Sequence, residues 1–349
     1  MDKERYDFAI DCKNYLYMPS ILPKKNRIVV IGDIHGDYGV MINYLKKAKV
    51  INDRYEWIGG DTFVVQNGDQ VDRCRPNIYK CDNPLATYPD EASDIKILKF
   101  MTELNIKATK FGGGVYSLLG NHELMNVAGN LNYVSYEGLL EFKDYINNAN
   151  DKNDVSDVER GKIGRKYAFA PGNEYAKFMG CTRHAAIIIG SFLFVHGGFV
   201  PEFYEQMGMS RKTSRDDLAK INSSVRKWLL KLINEQNVDK IIGSYPNSMF
   251  WHRILGEIPP NVPNDHPLCQ KYLEPTLKLF NIDGMIIGHT PQIFKNKSGI
   301  NGTCDGKLWR VDIGSSHAFS GFVINEEMEK LRKIQVLEIL NDKDIRVLI

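Results

Sequence analysis

The stretch Arg27–Asp37, RIVVIGDIHGD, decides how the rest of the chain is read. An apolar, β-rich run leads to Gly32, after which Asp33 and His35 follow at i and i+2. The run predicts a buried strand. Side chains two apart at an extended strand end point to the same side, so this carboxylate and imidazole can grip one ion. The same grammar returns four times: FVVQNGDQVDR (63–73), VYSLLGNHE (115–123), FLFVHGG (192–198) and GMIIGHT (284–290). In open α/β sheets, ligands lie beyond the carboxyl ends of the strands. All five motifs occupy that place, and glycine beside each polar residue lets the backbone turn and approach a ligand closely.

Between and beyond these strand ends the chain is ordinary. Its 349 residues are 43% apolar, enough to bury a large core. Lys and Arg number 45 against 43 Asp and Glu, so charge gives no case for a nucleic-acid or membrane-surface partner. The opening MDKERYDFAIDCKNYLYMPSIL has no hydrophobic core of a secretory signal. Ala185–Val195 is too short to span a membrane and reads as two strands around Gly190-Ser191. A cytoplasmic location is the expectation. Cysteines stand at 12, 74, 81, 181, 269 and 304 with no Cys-x-x-Cys pair, and the spacing favours free thiols over disulfides.

Strand-like runs fall at 27–31, 62–66, 115–119, 186–189, 192–195, 285–287, 308–311, 321–324 and 333–339. Helical patterns occur at GVMINYLKKAKV (39–50) and at SDIKILKFMTELNIKA (93–108), the latter opening on a candidate N-cap, Ser93. Alternating strands and helices, followed by successive strands, predict an α/β core with a mixed sheet or two packed sheets. One domain over 27–349 is expected, preceded by an extension at 1–26. Insertions are expected near 74–92, 147–165 and 256–267; NNANDKNDVSDVERGK (147–162) reads as an exposed loop or helix end.

The donor inventory points to metals. Asp33, Asp69, His35, His196 and His289 offer carboxylate and imidazole ligands, and Asn121 adds an amide oxygen. That mixture suits Mn, Fe or Zn better than Ca or Mg, which prefer oxygen alone. Asp69, with two carboxylate oxygens, can bridge two ions about 3.5–4 Å apart. Each motif is weak alone, since a single His or Asp at a strand end is usually a turn residue. Five together carry the reading.

The order GDIHG (32–36), GDQVDR (68–73), GNHE (120–123), HGG (196–198) and GHT (288–290) resembles the calcineurin-like metallophosphoesterases, and within them the phosphoprotein phosphatases. GNHELMNVAGNLNYVS (120–135), RKYAFAPGNEYAKFM (165–179) and WRVDIG (309–314) are similar to the Shewanella-like phosphatase subgroup. The resemblance, running from about 27 to about 325, implies a central β-sandwich of two mixed sheets flanked by helices. It implies two metal ions (Mn, Fe or Zn), one held by Asp33, His35 and Asp69, the other by Asp69, Asn121, His196 and His289. It makes His122 the proton donor, oriented by Asp72, and makes Arg73 and Arg253 phosphate-binding. The implied activity is hydrolysis of phosphorylated proteins or peptides by direct attack of a metal-bound hydroxide.

Some residues depart from the pattern. Cys74 stands where a glycine is usual, and the segment after it reads as an insertion at the mouth of the site. Ser315-Ser316-His317 follows VDIG where a Met and a basic residue are commoner, and His317 reads as structural or solvated. The competing functions are a dinucleoside polyphosphate hydrolase, which shares the motifs, and an inactive phosphate-binding scaffold, which predicts a lost ligand that the sequence does not show. Phosphotyrosine is the weakly preferred substrate over phosphoserine or phosphothreonine.

Overall fold

The computed structural model describes residues 3–145 and 155–349. Two six-stranded sheets face each other. In one, Asp344–Leu348, Val336–Leu340, Arg27–Ile31, Phe63–Gln66, Gly114–Leu118 and Arg183–His184 lie side by side in that order. In the other the order is Ile21–Leu22, Ala186–Ile189, Phe192–Val195, Gly284–Ile287, Leu308–Arg310 and Asn301–Thr303. Both sheets are mixed. Arg27–Ile31, Phe63–Gln66 and Gly114–Leu118 run parallel, as do Phe192–Val195, Gly284–Ile287 and Leu308–Arg310.

The alternation of side chains explains why the central strands are largely apolar. Ile28 and Val30 turn inward and meet Val65, Leu118, Ile187, Phe194 and Ile286 between the sheets. Val29 and Ile31 turn outward onto the helices Tyr38–Lys47 and Asp94–Thr109, against Met41, Leu45, Ile97 and Met101. The outer face of the second sheet does the same: Leu193, Val195, Met285 and Ile287 pack on Phe203, Val225, Trp228 and Phe280. Each buried Val, Leu or Ile stabilises the fold by about 1.5–3 kcal/mol. A strand covered on both faces has few polar positions before it ends; Gln66 and Ser117 are buried exceptions bonded to Gly68 and Gln70, and most polar residues fall at the edge.

Several expectations meet corrections here. All six cysteines are paired, as Cys12–Cys181, Cys74–Cys81 and Cys269–Cys304, so the free-thiol reading is overturned. Two of the pairs join residues 169 and 35 apart, which no local spacing reveals. Residues 321–324 are not a strand: His317–Phe322 is a 3-10 turn, with Gly321 inside it. Residues 147–154 lie outside the described residues, and where 147–162 reads as an exposed loop or helix end, Asp157–Phe169 forms a helix capped by Ser156 and carrying the buried Arg165. The N-terminal segment carries a helix, Lys3–Asp11, and the edge strand Ile21–Leu22. Among the described residues no helix is long and apolar enough to cross a membrane.

Candidate metal centre

Five strand ends converge on one edge of the sandwich. Asp33 and His35 follow Arg27–Ile31, Asp69 follows Phe63–Gln66, Asn121 and His122 follow Gly114–Leu118, His196 follows Phe192–Val195, and His289 follows Gly284–Ile287. All seven are buried. Asp69 stands at the centre. Its Oδ2 lies 3.7 Å from His35 Nε2, 3.9 Å from His122 Nε2 and 3.2 Å from His196 Nε2. Two donor trios therefore share this carboxylate: His35, Asp69 and His122, and Asp69, His196 and His289. Asp33 Oδ2 joins the first side at 3.8 Å from His35 Nε2, and Asn121 Oδ1 the second at 2.9 Å from His196 Nε2.

The backbone is bent to achieve this. His35, Asp69, Asp72 and His289 all have φ between 44° and 75°, in the left-handed region. Such conformations cost about 1–3 kcal/mol each outside glycine and persist where surrounding structure holds them. Part of the hold is Glu123, whose carboxylate accepts from the N–H groups of Asp69 (3.0 Å), Gln70 (2.7 Å), Val71 (3.2 Å) and Gly120 (2.6 Å). Gly68, at φ 93°, lies so close to His196 that a Cβ there would meet its Nδ1 at 2.6 Å.

The orientation of the imidazoles bears on whether cations fit. His196 Nδ1 faces the carbonyl of Asn67 at 2.9 Å, and His289 Nε2 faces that of Trp251 at 2.8 Å. A carbonyl only accepts, so each of these nitrogens carries the proton and the opposite nitrogen is left with its lone pair. The His196 lone pair, the Asn121 amide oxygen and the Asp69 carboxylate then point at one another with no donor among them. Acceptors gathered this way need a cation between them, and the donor set fits a pair of metal ions.

Electrostatics agree in part: burial lowers His196, but the Asp69 carboxylate outweighs it and raises the imidazole, so a cation taking up this nitrogen displaces a proton. Burial, then the nearby Asp312 and Asp69 carboxylates, push Asp33 well up. Burial works on Asp69 in the same direction, but the imidazoles of His196, His122 and His35 outweigh it and hold Asp69 well below the usual range. Burial, followed by the Arg75 guanidinium, lowers His35; burial, His196 and Arg253 lower His289. Neutral imidazole is the ligating form.

His122 is set apart by its second nitrogen. Its Nδ1 lies 2.7 Å from Asp72 Oδ2, while Asp72 Oδ1 accepts from Asn126 Nδ2 at 2.8 Å. Arg165, fully buried, donates to Asn126 Oδ1 (2.8 Å) and Asp94 Oδ2 (2.5 Å), tying this chain to the helix that Ser93 begins. Ser93 does not cap that helix with its side chain; its Oγ donates to the Gly36 carbonyl at 2.7 Å.

The two arginines expected at the site are placed differently. Arg253 is exposed at the rim and donates to the His289 carbonyl at 2.8 Å. Arg73 is buried and turned away: it pairs with Asp37 (3.2 Å) and Glu91 (3.0 Å) and donates to the carbonyls of Gly36 and Pro89. Arg75 reaches the imidazoles instead. Asp312 is a second residue that motif spacing passed over. It is buried beside the centre and raised to about 6 by burial, and its Oδ2 has no hydrogen-bond partner among the described residues. His317 bonds Asp37 at 2.6 Å.

The description of calcineurin-like phosphoesterases matches residues 26–292, an interval containing every residue of the cluster. The chain belongs to the calcineurin-like phosphoesterase family. An uncharacterised protein of Acanthamoeba polyphaga mimivirus is 40% identical over 71% of this chain and 97% of its own. Shewanella-like protein phosphatase 2 of Arabidopsis thaliana is 29% identical over 93% of this chain and 78% of its own. Among solved structures, the cold-active protein-tyrosine phosphatase of a psychrophilic Shewanella superposes with a TM-score of 0.64 at 21% identity, covering 95% of this chain and 83% of that one. That likeness bears out the β-sandwich of two mixed sheets flanked by helices. As a calcineurin-like phosphoesterase the chain is a hydrolase of phosphoesters that uses metal ions, and the similarity to Shewanella-like phosphatases matches the expectation from its motifs.

Proposed function

We propose that the chain removes phosphoryl groups from phosphorylated proteins or peptides. The observation that carries this reading is the pair of donor trios sharing Asp69, with His122 beside them on an Asp72 hydrogen bond. Asp33, His35 and Asp69 would hold one cation, and Asp69, Asn121, His196 and His289 the other. The mixed nitrogen and oxygen donors favour Mn, Fe or Zn. When bound, such a pair neutralises phosphoryl charge and makes hydroxide available at neutral pH.

The chain's own groups do the rest. A phosphomonoester is dianionic, so catalysis depends on positioning and charge neutralisation. Arg253 offers a cation at the rim. Asp72 fixes the His122 ring with Nδ1–H toward itself, which aims Nε2 at the cluster to hand a proton to the departing oxygen. Asn126 and Arg165 hold Asp72 in turn, so the ring cannot turn without breaking a buried network.

Two further readings concern substrate and place. The relatives whose names state a substrate act on proteins, and the solved neighbour is a tyrosine phosphatase, which supports phosphotyrosine. Three disulfides favour an oxidising compartment over the cytoplasm expected from the sequence. The test is a panel of phosphotyrosine, phosphoserine and phosphothreonine peptides beside a diadenosine polyphosphate, with Mn, Fe, Zn and chelator arms. Metal-dependent release of phosphate from peptides, fastest from phosphotyrosine, is expected. Turnover of the polyphosphate alone contradicts the reading.

A further inference from the structure

The site contains a cation that the family motifs do not account for. Arg75 Nη2 lies 2.9 and 2.8 Å from the two ring nitrogens of His35 and 3.4 Å from His122 Nε2. Its other amino group donates to the carbonyls of Cys74 (2.9 Å) and Asp72 (3.2 Å). Tyr133 and Phe319 flank the guanidinium, with ring centroids 5.4 and 4.7 Å away. The head thus sits where the imidazole of the proposed proton donor meets that of a proposed metal ligand.

Its bonding is incomplete in a way that Arg73's is not. Arg73 has two carboxylates, Asp37 and Glu91, and three further bonds to carbonyls. Among the described residues Arg75 has no carboxylate within 4 Å. A neutral imidazole carries a proton on one ring nitrogen, so only one of the two His35 nitrogens facing Arg75 can accept. When that lone pair serves a cation, the guanidinium loses this bond too. A half-buried guanidinium without an anion is a costly arrangement, and a phosphoryl group presents the paired oxygens that its fork matches.

Position is fixed from both sides. Cys74, immediately before Arg75, is fully buried, donates its N–H to the Tyr133 carbonyl at 3.0 Å and is bonded to Cys81. The side chain also lines a groove of about 340 Å³ between the loop after Cys74 and the turn at His317–Phe322. The groove opens to solvent, and Arg75 is the lining residue that also reaches the imidazoles of His35 and His122.

We propose that Arg75 is the arginine that binds the phosphoryl group at the mouth, and that Arg73 is a structural ion-pair residue. The proposal rests on the phosphatase reading but is tested apart from it. The full-length, manganese-loaded chain is compared as wild type, Arg75→Ala, Arg75→Lys, Arg73→Ala and Arg73→Lys. Inorganic phosphate affinity is measured by calorimetry, and thermal melting is followed without phosphate. Arg75→Ala should weaken phosphate binding by about tenfold or more, with Arg75→Lys recovering part as a point charge. The Arg73 variants should melt at lower temperature yet bind phosphate within about threefold of wild type below their transitions. Wild-type phosphate affinity in Arg75→Ala, in an enzyme that hydrolyses p-nitrophenyl phosphate, overturns the arginine assignment alone. An Arg73→Lys chain that melts as wild type but loses phosphate about tenfold overturns it as well. A wild type that binds phosphate through Arg75 without hydrolysing any phosphomonoester upholds the assignment and overturns the catalytic reading.

Discussion

The sandwich edge and the mouth above it are built on different principles. At the edge, Asp33, Asp69, Asn121, His196 and His289 each stand within three residues of a buried strand, and sheet register sets their spacing. At the mouth, Arg75, Tyr133, His317 and Phe319 come from loops and a short turn, held by a disulfide, a salt bridge and ring contacts. The difference suggests a division of labour. The edge supplies chemistry that tolerates no displacement, and the mouth supplies recognition that loops can vary. Substitutions at the edge should therefore abolish turnover, and those at the mouth should move KM or stability.

The largest effect should come from Asp69→Asn, which removes the carboxylate common to both trios. A fall in kcat of about 10³-fold or more is expected, with loss of bound metal measured by elemental analysis. Unchanged metal content and turnover would erase the distinction between edge and mouth. His122→Asn should lower kcat by about 10²–10⁴-fold while both metals stay bound. The loss should be smaller for p-nitrophenyl phosphate than for phosphoserine, because nitrophenolate departs without a proton. Equal losses on both substrates would remove His122 from the proton-donor role.

The mouth predictions are smaller. Arg73→Ala takes the guanidinium from buried Asp37 and leaves it with His317 and the Val40 N–H, and a destabilisation of about 3 kcal/mol is expected in denaturant titrations. Activity per folded molecule should change little, and a large loss of kcat without loss of stability would return Arg73 to the reaction. Replacing Cys74 and Cys81 together by serine frees the loop that carries Arg75. KM should rise severalfold with kcat nearly unchanged, read from steady-state kinetics on a phosphotyrosine peptide. A fall in kcat with KM constant would place the bridge in the edge's machinery.

Edge and mouth also differ in how far the sequence exposes them. Asp33, His35, Asp69, Asn121, His196 and His289 are legible because each ends an apolar run, and the run announces both the strand and the place where it stops. The sandwich follows from the same runs: Val29 and Val30 face opposite layers, and a strand apolar at both requires cover on both sides. The edge strand Ile21–Leu22 is too short, and Asn301–Thr303 too short and polar, to be seen that way. Contacts made across long separations leave no local trace. Cys12 finds Cys181 through the packing of the first helix on the rest of the chain, and Arg165 finds Asp94 from a helix that reads as a polar insertion. Arg73 and Arg75 differ by two positions in the same loop, and only the fold decides which one Asp37 captures.

The central claim is that Asp69 joins two cations at the edge of the sandwich. Anomalous diffraction from crystals grown with manganese tests it most directly. Two peaks are predicted, one beside Asp33 and His35 and the other beside Asn121, His196 and His289, with an Asp69 oxygen within coordination distance of each. A single peak, or peaks that Asp69 does not reach, would contradict the account.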